Sequence, residues 1–535
     1  MYRDLVGEHV RNQWIERGFY PGRDVYSLVW EHAQKHPDKV AIDDARGPRT
    51  YRELCSDVER TAAILRQEGI QAGDIVAFQL PNGRETPTVE YAIMSIGAIS
   101  LPCPMPFRGP DLHKILDRAG AAAIVTTTVH DGHDHAATAV QIKANLGSLR
   151  RVFVIHGEAD GTIPVGDALN GAPQLPGAAP DPISSSLPAR VVVTSGTESD
   201  PKLMLYSHDV IAGGIGNQLR HMNVGPDSKV LFGAPLSSAF GTIALPVLAR
   251  HGGTLLLTDK LTPTRLLTAT EQKAATHLLT VPTLVYTMLD EIDQSGRPAQ
   301  TPSLAVIATY GATYPKALVM RTQAAFRCDI VNAYGCSDGG GSQTHPGDAP
   351  DIVAETVGRP DEDICSIRIV GADETDVPAG AIGQIYGRGP ICPLSYLNAP
   401  ELDERYRTAD GWTRTGDLGY LDEAGYLRVV GRAKDVIVRN GTNVSPAELE
   451  NIISDHPDVA MVACVGLPHE RAGEQIAVFV TLRPSAPPLS LESLRDYLTG
   501  RNLTRYKLPD QLRIVDEFPL TTSGKILKRR LIEAG

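Results

Sequence analysis

The sequence predicts a mixed α/β and α+β fold: a large N-terminal domain of βαβ-type sheets plus a small β-barrel-like region, and a small mobile α+β C-terminal domain. As far as the run CDIVNAYG, short apolar runs alternate with helical patterns, which is typical of βαβ units. From about Asp361, runs such as GQIYGRG are separated by short Gly or Asp turns, which indicates antiparallel strands. After Gly441, two helical patterns and three strand-like runs fill about 100 residues, enough for a separate domain.

The elements follow one another in a regular order. Between Asp24 and Gly69, apolar residues recur three and four apart, which predicts helices. A stretch rich in Pro, Gly and Ala, from Gly171 to Pro188, predicts an exposed loop before the next strand. The predicted strands of the N-terminal part are DIVAFQL, AAAIVTTTV, RRVFVIHG, ARVVVTSG, GTLLLTD, ATHLLTV, SLAVIAT and CDIVNAYG.

Composition excludes several classes of protein. The composition, 42% hydrophobic and 21% charged residues, is ordinary for globular proteins. At 535 residues the chain is too long for one simple domain. The net charge of −12 disfavours nucleic acid or an anionic membrane surface as the main partner. No run of about 18 apolar residues occurs, so no integral membrane association is expected. Seven scattered cysteines without a C-x-x-C pair indicate reduced thiols and a cytoplasmic protein.

The first chemical motif is a loop of hydroxyls and glycine, Thr194-Ser195-Gly196-Thr197, which directly follows the strand-like run VVV. With Lys202 it offers backbone N–H groups, hydroxyls and one ammonium to phosphate oxygens. It is not a Walker loop, because G-x-x-x-x-G-K-[ST] is absent. Taken alone, such a loop is more often only a turn.

Five further motifs follow in a fixed order, and they change the interpretation. They are Asn332-Ala333-Tyr334-Gly335-Cys336-Ser337-Asp338, Gly358-Arg359-Pro360, Gly411-Trp412-Thr413-Arg414-Thr415-Gly416-Asp417, Gly431-Arg432-Ala433-Lys434-Asp435 and Pro519-Leu520-Thr521-Thr522-Ser523-Gly524-Lys525. Together the six motifs resemble those of the adenylate-forming superfamily, which includes acyl-CoA synthetases, luciferases and the adenylation domains of nonribosomal peptide synthesis. The resemblance runs from about Tyr51 to Leu531, and it is to the acyl- or aryl-CoA synthetase branch.

This resemblance implies a two-step ligase reaction. A carboxylate attacks the α-phosphorus of Mg-ATP, which gives an acyl-adenylate and pyrophosphate, and a thiol then attacks the activated carbonyl and releases AMP. The cofactors implied are ATP, Mg²⁺ and coenzyme A or the phosphopantetheine of a carrier protein. Because negative charge gathers at phosphorus, such a site needs positioned cations and hydrogen-bond donors more than an acid–base pair.

The resemblance also implies roles for individual residues. Lys525 is expected to bridge the substrate carboxylate and the α-phosphate, Asp338 to hold Mg²⁺ and Asp417 to accept hydrogen bonds from both ribose hydroxyls. The residues expected to bind pyrophosphate are Thr194, Ser195, Gly196, Thr197 and Lys202, with Thr197 and Lys202 also catalytic. The other expected nucleotide contacts are Gly311, Ala312, Asn332, Ala333, Tyr334, Gly335, Ser337 and Arg432.

The same resemblance divides the chain at Lys434. Residues 1–433 are expected to form the large domain with the ATP and acyl sites, and residues 434–535 the small domain that carries Lys525. Lys434 is expected to be the hinge on which the small domain turns after adenylation. Gly441 is expected beside the thiol tunnel, where a glycine leaves room for a pantetheine arm.

The acyl site is expected at Ser238, Phe240 and Cys336. Many relatives carry an aromatic residue and a histidine where this chain has Ser237 and Ser238, so the small side chains favour a bulky acid. The segment from 229 to 258 contains no Asp or Glu that could pair with a substrate ammonium, and burying an unpaired cation is costly. The sequence therefore predicts an aromatic, alicyclic or fatty acid without an amino group.

Two departures from the family pattern concern charge. Glu198 follows the hydroxyl loop where the family usually continues Thr-Gly, and we expect its carboxylate to face outward, away from the phosphates. Asp338 stands where glutamate is more usual, which keeps the charge but shortens its reach by one methylene. A separate group, His130, His133 and His135, has no spacing that fixes a common face, so it does not predict a native metal site.

Alternatives remain open at this level. A stand-alone acyl-AMP ligase that loads a carrier protein in natural-product biosynthesis would have almost the same sequence. A catalytically silent acyl- or nucleotide-binding regulator is a third reading, against which Lys525, Asp417 and Asp338 argue. The expected partners are a small carboxylic acid and possibly an acyl carrier protein, and both a monomer and a homodimer remain open, as do the acid and the pathway.

Overall fold

Two eight-stranded sheets dominate the N-terminal part of the computed structural model, which describes residues 2–170, 179–194, 201–311, 314–439, 442–469, 471–483, 486–501, 503–521 and 526–533. The first sheet is parallel except for the pair at each edge. Its strands in spatial order are Gly340–Gln343, Asp329–Cys336, Val306–Tyr310, His277–Thr280, Lys229–Phe232, Thr254–Leu256, Val40–Asp44 and Gly47–Thr50.

The second sheet is parallel over six strands and ends in two antiparallel pairings on one side. The antiparallel pairings join Pro188–Thr194 to Lys202–Ser207, and Lys202–Ser207 to Ser395–Tyr396. Its strands in spatial order are Ser395–Tyr396, Lys202–Ser207, Pro188–Thr194, Ile99–Pro102, Ile75–Gln79, Ala123–Thr126, Arg151–Val154 and Ile163–Pro164.

The third sheet occupies the region expected to be barrel-like, and it is an open antiparallel sheet of four strands. Its two outer strands do not pair with each other in the part of the chain that the structure describes, so no barrel closes there. A separate two-stranded ribbon joins Val129–His130 and His133–Asp134. In spatial order the third sheet consists of Ser366–Val370, Gly383–Arg388, Thr413–Leu421 and Leu427–Arg432.

A fourth sheet, near the C-terminus, confirms the α+β pattern predicted after Gly441. Gln511–Ile514 adds in parallel to Gly473–Leu482, and the other pairings are antiparallel. The remaining strands are Thr442–Val444, Ile437–Arg439 and Val459–His469, and the helices of this region are Pro446–Ser454, Leu491–Gly500 and Lys528–Glu533. Ser445 Oγ donates a hydrogen bond of 2.6 Å to the carbonyl oxygen of Val430, which links this region to the third sheet.

Helices cover the two large sheets and supply much of the core. The largest apolar cluster contains Phe78 of the second sheet, Phe232 of the first, and residues of two helices, Tyr51–Gln67 and Glu85–Ser95. Every residue of Glu85–Ser95 is buried. The N-terminal helices are Glu8–Glu16, Val25–Lys35, Tyr51–Gln67, Glu85–Ser95, Gly109–Ala119, His135–Asn145, Gly166–Asn170, Gly216–His221, Leu245–Ala249, Pro263–Gln272, Pro282–Ser295, Lys316–Phe326, Pro350–Glu355 and Pro400–Tyr406, with short π and 3₁₀ segments at Val210–Ile215 and Phe240–Ala244.

The helix Tyr51–Gln67 begins where its sequence dictates. Thr50 accepts a hydrogen bond from the backbone N–H of Glu53, and the Glu53 carboxylate accepts one from the N–H of Thr50. This capping box satisfies two of the N–H groups that every helix leaves unpaired at its start. No helix in the described ranges is long and apolar enough to cross a membrane.

A buried ion pair ties three parts of the N-terminal domain together. Arg190 Nη1 lies 2.5 Å from Glu90 Oε1, and both side chains are at most 2% exposed. Ser100 Oγ donates a second hydrogen bond to Glu90 Oε1, at 2.9 Å. Arg190 Nη2 donates to the carbonyl oxygens of Leu236 and Ser238. One guanidinium therefore joins a strand, a helix and the segment expected to border the acyl site.

Replacing the cation alone should be strongly destabilising. Arg190→Met leaves the Glu90 carboxylate buried without its cation, which typically costs about 3–5 kcal/mol. The double variant Glu90→Gln/Arg190→Met removes both charges and should lose less stability than Arg190→Met. The unchanged protein, the two single variants Arg190→Met and Glu90→Gln, and the double variant form a double-mutant cycle. Urea unfolding followed by circular dichroism measures the free energy of unfolding of each. Equal losses in the single and double variants would show that the charge pairing is not what stabilises this contact.

Candidate active site

Six of the expected site residues lie outside the described ranges: Ser195, Gly196, Thr197, Ala312, Gly441 and Lys525. Glu198 is also outside them. Their roles therefore stay predictions. The described part of the site comes from strands of the first, second and third sheets and from the turn that carries Asp338.

Lys202 and Asp338 form the first charged pair of the site. Lys202 begins its strand opposite Thr194, the last residue of the strand before the hydroxyl loop. Its Nζ lies 3.3 Å from Asp338 Oδ1, and the two side chains are only 16% and 12% exposed. The same Nζ lies 3.5 Å from the centre of the Tyr406 ring, and Tyr396 OH donates a hydrogen bond to Asp338 Oδ1. The Lys202 ammonium thus contacts both the Asp338 carboxylate and the face of the Tyr406 ring.

The turn that carries Asp338 connects the strand Asp329–Cys336 to the edge strand Gly340–Gln343 of the first sheet. Ser337 is held there because its carbonyl oxygen accepts a hydrogen bond of 2.9 Å from Tyr206 OH. Gly339 has φ +123°, and a Cβ at this position would lie 2.8 Å from Cys392 Sγ. A glycine is therefore required by both backbone conformation and space. This turn places the Asp338 carboxylate beside Lys202, which lies on the second sheet.

Asp417 lies at the centre of a second charged group. Tyr334 OH donates a hydrogen bond of 2.7 Å to Asp417 Oδ2, and Arg432 Nε lies 3.3 Å from Oδ1. Asp417 and Arg432 are directly opposite each other on neighbouring antiparallel strands, which fixes their approach. The Asp417 side chain is 7% exposed, whereas that of Arg432 is 46% exposed. Burial, and then the Asp417 carboxylate, raise the pKa of Tyr334 well above 10.0, so its phenol stays protonated and donates.

Four other expected nucleotide contacts, Gly311, Asn332, Ala333 and Gly335, lie on strands of the first sheet or directly after one. Asn332 is buried, and its side-chain amide donates to the carbonyl oxygens of Val353 and Thr356 at 3.0 and 3.1 Å. Asn332 thus fixes the end of the helix Pro350–Glu355. Ala333 pairs with Tyr310 of the neighbouring strand, and Gly311 follows Tyr310 with φ +88°. Gly335 is exposed on the same strand as Ala333.

Aromatic side chains line the region expected to hold the acyl group. The Phe240 ring lies 4.6 Å from that of Tyr310 and 5.1 Å from that of Phe232, between ring centres. Ser238 is buried, and its hydroxyl donates to the carbonyl oxygen of Pro235 and accepts from Gly241 N–H, so it shapes the backbone turn. Tyr310 OH is buried and finds no hydrogen-bond partner among the described residues.

The Cys336 thiol lies beside the charged pair. Its Sγ is 3.5 Å from Asp338 Oδ2 and 3.8 Å from the carbonyl oxygen of Thr415. Burial, and then the carboxylates of Asp338 and Asp417, raise the pKa of the Cys336 thiol well above 9.0. The thiolate is the reactive form of cysteine, so this thiol is held in its unreactive form at neutral pH.

Sequence reasoning missed four tyrosines of this site. Tyr206 holds the Asp338 turn, Tyr396 and Tyr406 contact Asp338 and Lys202, and Tyr310 lies beside Phe240. Tyr310 could have been found, because a large ring immediately before Gly311 must lie at the edge of the same site. Tyr396 and Tyr406 belong to no motif and are brought in by the fold alone.

Alkylation should test the environment of Cys336. Because the raised pKa keeps the thiol protonated at pH 8, iodoacetamide should leave Cys336 unmodified in the native protein and modify it in urea. Peptide mass spectrometry measures the modified fraction over time, and the unfolded chain serves as the control. Alkylation of Cys336 at similar rates in both states would contradict a protonated, half-buried thiol beside two carboxylates.

Comparison with known proteins identifies the family. Residues 29–397 match the model described as AMP-binding enzyme, and residues 448–525 match AMP-binding enzyme C-terminal domain. A salicylyl-CoA synthase / salicylate adenylyltransferase of Streptomyces sp is 32% identical, over 97% of this chain and 95% of that protein. A 2,3-dihydroxybenzoate-AMP ligase of Bacillus subtilis (strain 168) is 29% identical, over 98% and 96%. The crystal structure of ATP-bound MatB from Rhodopseudomonas palustris has a TM-score of 0.84 at 26% identity, covering 95% of this chain and 98% of that one. As its ordered motifs predict, the chain belongs to the AMP-binding enzyme family and is an adenylate-forming ligase.

Proposed function

We propose that this enzyme converts an aromatic carboxylic acid without an amino group into its acyl-adenylate and then into a coenzyme A thioester. The observation that carries the proposal is the convergence of two charged groups, Lys202 with Asp338 and Asp417 with Tyr334 and Arg432, beside an aromatic-lined region. Cations, a metal-binding carboxylate and a ribose acceptor are the groups that adenylation requires.

In the first step, a substrate carboxylate oxygen bonds to the α-phosphorus while the bond to the β-phosphate oxygen breaks and pyrophosphate leaves. Lys202 supplies positive charge to the departing phosphates, and Lys525 screens the repulsion between the two reacting anions. The Asp338 carboxylate offers the hard oxygen that Mg²⁺ prefers, and Mg²⁺ would neutralise charge on the phosphates there. Thr194 and the hydroxyl loop that follows it would add hydrogen-bond donors.

Asp417 is proposed to position the nucleotide through its ribose. A carboxylate can accept from two neighbouring hydroxyls at once, which suits a vicinal diol. Tyr334 and Arg432 already hold both Asp417 oxygens, so they orient the carboxylate before the nucleotide arrives. Arg432 is half exposed and can also turn toward a phosphate.

The proposed substrate class rests on the lining of the acyl region. The partly exposed Phe240 ring offers a flat aromatic surface, and it packs against the buried rings of Phe232 and Tyr310. Aromatic ring pairs contribute stability beyond simple burial. The segment 229–258 holds no carboxylate to pair with a substrate ammonium. The names of the relatives that act on salicylate and 2,3-dihydroxybenzoate support an aryl acid over the alicyclic and fatty acids that the sequence leaves open.

The proposed domain arrangement places the hinge at Lys434, between residues 1–433 and 434–535. Lys434 lies in the short 3₁₀ turn Ala433–Asp435, which joins the last strand of the third sheet to the first strand of the fourth. A rotation in this turn would exchange Lys525 for a thiol tunnel beside Gly441. A second function, loading the acyl group onto a carrier protein, is favoured by a Mycobacterium tuberculosis relative named salicyl-AMP ligase / salicyl-S-ArCP synthetase, which is 30% identical over 96% of this chain.

The first test is adenylation by a panel of acids. With Mg-ATP we expect acid-dependent pyrophosphate exchange for benzoate-type acids and little for α-amino acids. Lys525→Ala should reduce exchange by about 100-fold or more, as for other groups that stabilise charge in the transition state. Arg529→Ala is the matched control, because Arg529 is 63% exposed and pairs only with Glu533 among the described residues. Saturable exchange with α-amino acids alone would contradict the proposed substrate class.

The same assay with coenzyme A distinguishes the acceptors. An aryl-CoA product, detected by mass spectrometry, is expected from the proposed function. Bound acyl-AMP without thioester formation would favour the carrier-protein reading instead.

Asp417→Asn should weaken ATP use specifically. A hydrogen bond to a charged group contributes about 1.5–3 kcal/mol, so the KM for ATP should rise roughly 10- to 100-fold, with little change in the KM for the acid. Tyr334→Phe keeps the ring but removes one hydrogen bond to Asp417, and it should have a smaller effect. Steady-state kinetics at saturating acid measures both. Equal increases in both KM values would assign Asp417 a structural role only.

A further inference from the structure

A second cluster of ionisable side chains lies outside the proposed active site. His221 ends the helix Gly216–His221, His345 follows the edge strand Gly340–Gln343, and Asp361 follows Gly358-Arg359-Pro360. One ligand atom from each residue lies within 4.8 Å of the others, and this is the one such group within the described ranges. Along the edge strand, Gly340 pairs with Cys336 near Asp338 and Gln343 pairs with Ala333, so the cluster lies at the other end, roughly 10 Å away.

Two of the three distances between the ligand atoms match those of a tetrahedral metal site, and the third is within 4.8 Å. His345 Nε2 is 3.3 Å from His221 Nδ1 and 3.4 Å from Asp361 Oδ2. Two ligands at about 2.0–2.1 Å from a zinc ion, at the tetrahedral angle, are about 3.3 Å apart. The side chains of His221, His345 and Asp361 are 23%, 36% and 25% exposed, so an ion can reach them.

A neighbouring carboxylate fixes the orientation of His221. Both Asp363 oxygens lie 3.0 Å from His221 Nε2, and Arg220 also donates to Asp363. The proton of His221 is therefore held at Nε2, which leaves the Nδ1 lone pair directed toward His345. A carboxylate on the far nitrogen of a ligating histidine is the usual support in metal sites.

Asp361 supplies a carboxylate oxygen that can accept a further ligand. Its Oδ2 is buried from solvent and, apart from the 3.4 Å contact with His345 Nε2, accepts no hydrogen bond from the described residues. Burial of an unsatisfied carboxylate oxygen is costly, and a cation at the centre of the cluster would satisfy it. Two imidazole nitrogens and one carboxylate favour zinc or a similar transition metal over Mg²⁺.

We propose that His221, His345 and Asp361 bind one divalent transition-metal ion, with Zn²⁺ as the best fit and water as the fourth ligand. The ion would join the end of a helix, the turn after an edge strand and the segment before the third sheet. Its site is separate from Asp338, and its role is to fix these three segments against each other.

Metal binding to the full-length, tag-free protein tests this proposal. The background variant H130Q/H133Q removes the other histidine group, which could bind ions on its own. Equilibrium dialysis should give one Zn²⁺ per chain in this background, and Co²⁺ should give the visible absorption of a tetrahedral site that excess Mg²⁺ does not remove. His345→Gln should abolish both signals, and Asp363→Asn should weaken binding about 10- to 100-fold. Glu362→Gln is the matched control, because Glu362 is 68% exposed and pairs with Arg17.

A second measurement needs no ligand substitution. Zn²⁺ should protect His221 and His345 from diethylpyrocarbonate in the background protein, with the modified residues identified by mass spectrometry. Stoichiometric binding that survives His345→Gln, binding that never saturates, or the absence of protection would each overturn the proposal and leave an adventitious ion only.

Discussion

The buried pair of Arg190 and Glu90 is the contact on which the arrangement around the acyl region depends. A guanidinium has five N–H groups in a fixed plane, so it can neutralise one carboxylate and still donate to two carbonyl oxygens. Glu90 lies on a helix that is buried along its whole length, where water cannot replace a lost partner. The position of Ser238, and with it the neighbouring Phe240, is therefore coupled to the charge balance of the core.

The charged groups of the site are paired with one another across different sheets. Lys202 on the second sheet contacts Asp338 on the first, and Asp417 on the third sheet contacts Tyr334 on the first. The first and second sheets share the largest apolar cluster, which fixes their relative position and so sets the distances at the site. Strand register adds further control, because it places Asp417 directly opposite Arg432.

The sequence was sufficient to predict the family and the alternation of strands and helices, and it singled out Lys202, Asp338, Asp417 and Arg432 because each lies in a motif with characteristic neighbours. The pairing of Lys202 with Asp338, and of Asp417 with Arg432, became visible only in the structure. It was insufficient for Tyr396 and Tyr406, since they have no motif and reach the site only through tertiary packing. The barrel-like expectation failed because short antiparallel runs look alike whether or not the outer strands meet. The sequence did not indicate the cluster of His221, His345 and Asp361, because its members are spread over 140 positions and form no local motif.

The ion pair between Lys202 and Asp338 affects which form of a polyphosphate can bind. In the free enzyme the ammonium and the Asp338 carboxylate neutralise each other, so a bare polyphosphate that drew Lys202 away would leave an uncompensated anion in a site that is largely closed to water. A polyphosphate that arrives with its own dication can satisfy both partners at once, and the exchange is then balanced in charge. The contact between Lys202 and Asp338 would therefore favour metal-complexed nucleotide, which can displace the internal ion pair, over metal-free nucleotide, which cannot.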